Sequence, residues 1–187
     1  MLNTRRYALI AAISLLWILA VACGDDDDGA PAGNGGDGAM TLQEYFDELD
    51  VIFARAEAAT DRAEAQLEED ASNAQEFGDE VDAVDAFLDE VIVAFEDAIA
   101  DMEDLDPPGE ASGAHDDFLE AASAASDGAG RFQDELADVD TRDEADALVT
   151  QFDGEMTALI RGADEACLEL QIVADQNDVD VDLECEA

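Results

Sequence analysis

The sequence contains no lysine, and its seven arginines face 51 Asp and Glu, a formal net charge of −44 over 187 residues. A nucleic-acid binder needs a basic surface to neutralise phosphates, so this balance excludes that class. It excludes attachment to anionic lipid through a polybasic patch as well. One histidine, His115, cannot build a histidine-based metal cluster, and three cysteines are too few for a disulfide scaffold. Catalytic signatures are equally scarce. There is no Gly-x-Ser-x-Gly elbow, and a phosphate loop ending in Lys is impossible without Lys. A ferritin-like di-iron site needs two Glu-x-x-His motifs, whereas position 112, three before His115, is Ser. Asp178, Asp180 and Asp182 alternate like the opening of an EF-hand, but Leu183 stands where the loop requires Gly. No residue is assigned to catalysis, a cofactor or a metal.

What is present begins with an address. Arg5 and Arg6 precede an apolar stretch from Tyr7 to Ala22, interrupted only by Ser14. Its 16 residues are fewer than the roughly 20 of a spanning helix, and they end in small side chains, as a secretory signal does. Leu19-Ala20-Val21-Ala22-Cys23 resembles the lipobox of bacterial lipoproteins, with Leu19 one place further from the cysteine than usual. The resemblance implies diacylglycerol on Cys23, cleavage just before it, and residence on the extracytoplasmic face of a cell membrane or outer membrane. Acyl chains contribute about 0.8 kcal/mol per buried CH₂, enough to anchor the chain without protein contacts. Residues 1–22 are therefore expected to be the signal peptide.

Residues 24–39 hold six of the thirteen Gly and five Asp, with nothing to bury. Together with Cys23 they read as a disordered linker spanning roughly 20–24 Å by random-coil scaling. Four consecutive Asp, Asp25 to Asp28, do not converge on a cation, so they read as a solvated spacer.

Residues 40–187 read as the folded domain. No stretch alternates with a period of two in β-branched residues, while apolar positions recur every three or four. The four runs are Leu42 to Leu67, Phe77 to Leu105, His115 to Leu136 and Ala145 to Val173. Thr41-x-x-Glu44 and Thr141-x-x-Glu144 fit the capping box. Pro107-Pro108-Gly109 ends the second run. The glycines of the third make it the weakest helix. A turn near Asp70–Asn73 separates the first two runs, since one continuous helix would leave much of its stripe unpaired. The fold expected is all-α, an up-down-up-down four-helix bundle. His115 falls on the third seam, where it reads as a packed histidine near one end of the bundle. As a general base or metal ligand it would need carboxylates from a neighbouring helix.

Cys167 and Cys185 remain after export, and an even pair in an oxidising compartment reads as a disulfide. It would fold the tail, Val179 to Leu183, back onto the bundle. A thiolate metal site would need more ligands than these. The whole is similar to bacterial lipoproteins built as a tether plus an Ala- and acid-rich helical domain, some with Cys-bounded endings, a likeness that implies no activity. The function expected is a membrane-anchored, non-enzymatic interaction or scaffold module with an envelope protein as partner. A cation- or small-ligand-binding envelope lipoprotein, taking divalent ions weakly, is the alternative.

Overall fold

The computed structural model describes residues 40–181, 183 and 185. The segments expected to be signal peptide and linker, with Cys23, lie outside them. Four helices follow in order: α1 (Leu42–Asn73), α2 (Phe77–Glu103), α3 (Ser112–Leu136) and α4 (Arg142–Gln176). No described residue is in a strand. The all-α bundle expected from periodicity is the fold, and the break between the first two runs falls at residues 74–76.

Local chemistry sets the boundaries. The Thr41 hydroxyl accepts from the Glu44 N–H at 3.2 Å, and the Glu44 carboxylate accepts from the Thr41 N–H at 2.9 Å, a closed capping box. At α4 the box is only half formed. Thr141 Oγ1 accepts from the Glu144 N–H, but the Glu144 carboxylate reaches past the cap to the Asp140 N–H at 3.2 Å. The start of α2 is capped from inside the helix, where Asp79 Oδ2 accepts from the N–H groups of Gln75 and Glu76. After α2, the Pro108 carbonyl accepts from the N–H groups of Ala111 and Ser112 and so opens α3.

The helices run up, down, up and down, with consecutive helices side by side. Two apolar clusters divide the interior. The entry end, where the chain arrives at Thr41, joins Tyr45, Phe46 and Leu49 of α1 to Met102, Phe118 and Leu170 of the other three helices. The distal end joins Leu67, Phe87, Leu88, Phe132, Leu136 and Leu148. Among the described residues, both clusters take buried side chains from all four helices, so residues 40–185 carry a shared core of their own. Every residue of the third seam, from His115 through Phe118, Ala122, Ala125, Ala129 and Phe132 to Leu136, is buried. One of the glycines there serves packing as well. A Cβ on Gly128 would sit 2.7 Å from Leu159 Cδ1 and 3.3 Å from Met156 Sδ, so its absence lets α3 lie close to α4.

Charge plays little part in holding the helices together. Three arginines bridge helices: Arg55 to Asp101, Arg131 to Glu155, and Arg142 to Glu80 at 2.6 Å. The first two pairs are exposed, where such bridges contribute at most about 1 kcal/mol. Arg142 also lies 5.4 Å from the Phe77 ring centroid, so it ties the start of α4 to the start of α2. The rest of the acidic surface has no such counterpart in number: 46 Asp and Glu in residues 40–187 face five Arg.

Candidate functional site

At the entry end two buried polar side chains from different helices meet. His115, in the first turn of α3, is 3% exposed, and Tyr45, in the first turn of α1, is fully buried. Antiparallel alternation brings both helix starts to the same end of the bundle. The Tyr45 oxygen lies 2.9 Å from His115 Nδ1, and the two rings meet edge to face. Burial pushes the Tyr45 phenol above its ordinary range. Burial also pulls His115 below its ordinary value, against a smaller opposing pull from the Asp116 carboxylate. Both groups are therefore neutral at pH 7. The phenol oxygen and Nδ1 share one hydrogen bond.

This arrangement pins α1 to α3 and leaves His115 only 3% exposed. A general base needs reach to a substrate proton, and here Nδ1 is already satisfied by Tyr45. The sequence places His115 correctly as a packed histidine near one end. Its partner was not legible, because Tyr45 is 70 residues away and only the register of two helices brings it near.

A pH dependence follows from the pair. The unfolded chain binds a proton at His115 near the ordinary imidazole value of about 6.5, and the folded chain binds it only at lower pH. The pair's contribution is present above that unfolded value and lost as pH falls through the folded one. His115→Gln should therefore lower stability at pH 7.5, by about 1–2 kcal/mol for the broken buried hydrogen bond. The deficit relative to wild type should shrink at pH 5.5. Urea unfolding of residues 40–187 at both pH values measures this, and a deficit that widens in acid would contradict it.

The second feature of this end is covalent. The Cys167 and Cys185 sulfurs stand at disulfide-bonding distance, with Cα atoms 5.7 Å apart. The path back from α4 is well specified. Asp178 takes a left-handed backbone, φ 56°, and the Val179 N–H returns to the Ala174 carbonyl at 3.0 Å, a Schellman-type end. The Gln171 side chain then grips the tail from both sides of its amide. Its Nε2 donates to the Val181 carbonyl at 2.9 Å, and its Oε1 accepts from the Leu183 N–H at 2.7 Å. Leu183 is 2% exposed within the entry-end cluster, with Val179 and Val181 packed against the same cluster. The alternation in the sequence thus turns valines and leucine inward without any β-pairing.

Among the described residues, no group of three or more His, Cys, Asp and Glu is placed to hold a metal ion. No helix of the described residues is long and apolar enough to cross a membrane. The chain matches no protein-family model, no curated protein and no solved structure.

Proposed function

We propose that the protein is a lipid-anchored extracytoplasmic module, with Cys23 as its acylated N-terminus and the bundle as a non-enzymatic interaction or scaffold unit. The observation that carries this reading is the agreement of two distant cysteine features. The lipobox-like segment ending at Cys23 implies export, and the paired sulfurs of Cys167 and Cys185 suit an oxidising compartment. The interior supports a scaffold role, because the Tyr45–His115 pair and the Gln171 amide are spent on helix-to-helix and tail-to-helix contacts. The acidic surface adds repulsion from an anionic bilayer, so an anchored domain would work at a distance from it. Its partner would be an envelope protein. The same surface supports a second reading as a weak collector of divalent cations, held by charge density in a manner that salt erases.

The test is metabolic labelling with palmitate of cells expressing the full chain and its Cys23→Ser variant. Wild type should carry label and sediment with membranes. Cys23→Ser should lose all of the label and persist as an uncleaved precursor. Equal labelling of the two would sink the proposal.

A further inference from the structure

Within the entry-end cluster, side chains from all four helices line a partly enclosed cavity of about 50 Å³. Its walls are Phe53 of α1, Phe95, Ala98 and Met102 of α2, and Phe118 and Ala122 of α3. The Cys167–Cys185 bridge forms another part of the wall, so the strapped tail completes the chamber. Among the described residues, Asp164, half-buried on α4, is the one ionisable side chain lining it.

From this lining we propose that the cavity is a binding site for the tip of an unbranched alkyl chain carrying a neutral or cationic head. The proposal is independent of the membrane anchor and concerns the bundle alone. Three observations select the ligand class. The walls are aliphatic and aromatic, so an apolar group entering them loses no hydrogen bonds and gains buried area. The room is about a third of the roughly 150 Å³ known to hold a benzene ring in an apolar cavity, so a thin chain fits and a ring does not. The 46 acids of residues 40–187, against five Arg, set a negative field that repels an anionic head.

The methionines provide a direct readout. Met102 lines the cavity, whereas Met40 and Met156 do not. Residues 40–187, labelled with ¹³C at the methionine methyls, would be titrated with 1-hexanol, sodium hexanoate and benzene in 0.05 M NaCl. With 1-hexanol the Met102 methyl should shift saturably, and Met40 and Met156 should not. Hexanoate should require about tenfold higher concentration, a gap that closes as salt is raised. Ala98→Leu, which fills the chamber from α2, should weaken hexanol binding by about tenfold or more. Ala56→Leu, which fills it from α1, serves if the first variant loses its helical circular dichroism. The proposal is overturned if Met102 shows no saturable shift with hexanol, if benzene saturates it equally, or if a folded filled variant binds as wild type does.

Discussion

Raising NaCl from 0.05 to 2 M at pH 7 should raise the melting temperature of residues 40–187 by on the order of 10 °C. In that stretch 46 carboxylates face five arginines, and three of those arginines form bridges between helices. The acids sit on the outer faces of closely packed helices, so folding concentrates negative charge that the extended chain would spread. The repulsion acts over a Debye length of about 10 Å at 0.1 M salt and about 3 Å at 1 M. Screening therefore removes most of it while leaving the two apolar clusters intact. A melting temperature that falls with salt would mean that the three arginine bridges outweigh the repulsion.

Acid is a less uniform lever than the charge count alone suggests. Glu64 is raised by burial first, then by Glu68 and Asp61, so it favours the folded state below its unfolded pKa and loses that contribution as pH rises through the folded value. Glu44 and Asp79 behave in the opposite way. Their carboxylates accept the N–H groups of Thr41 and of Gln75 and Glu76, which lowers both. Their contribution holds above the unfolded pKa and is lost as pH falls through the folded one. His115 also opposes acid, over a higher range. Relief of repulsion by protonation thus competes with the loss of two helix caps and one buried pair. Salt isolates the repulsion, and acid does not.

Replacing both Cys167 and Cys185 by Ser should cost about 3 kcal/mol, from the unfolded-chain entropy that a bridge across 18 positions removes. For a domain of this size that corresponds to a fall in melting temperature of roughly 6–12 °C. The loss should be local in structure, because Gln171 still holds the Val181 carbonyl and the Leu183 N–H, and Leu183 still has its place in the cluster. Hydrogen exchange should therefore accelerate at Leu183 in the double variant while the amides of α2 and α3 at the distal end keep their relative order. A melting temperature unchanged in the variant, with wild type retaining its bridge, would show that the amide grip and Leu183 alone fix the tail.

Much of this fold is written in periodicity, because each helix buries one stripe. The seams read from spacing run through Leu49, Leu88, Phe118 and Leu170, all of which are buried. Positions beside those seams were missed. Phe46, Phe87 and Ile160 are buried too, because the buried face of each helix is wider than a single line of residues. The caps show the same limit. Thr41 and Thr141 have the same motif, yet only the first closes, because the Glu144 carboxylate finds the Asp140 N–H instead. Asp79 caps α2 from a position that no motif marks.

Tertiary pairing was less legible still. The cysteines could be paired because only two remain after Cys23, whereas Tyr45 and His115 meet through the register of α1 against α3. The cavity in the entry-end cluster depends on how Phe53, Phe95 and Phe118 fill the space between helices, which no linear spacing encodes.

The central claim is that one chain carries a lipid on Cys23 and a bridge between Cys167 and Cys185, and intact mass spectrometry reads both together. The protein would be extracted from native membranes without reductant. Expected is a chain that begins at Cys23, heavier by its acyl groups and lighter by two hydrogens than the dithiol form, with no thiol available to alkylation until reduction. A chain that begins at Met1, with three alkylatable cysteines and no added lipid, would contradict the claim.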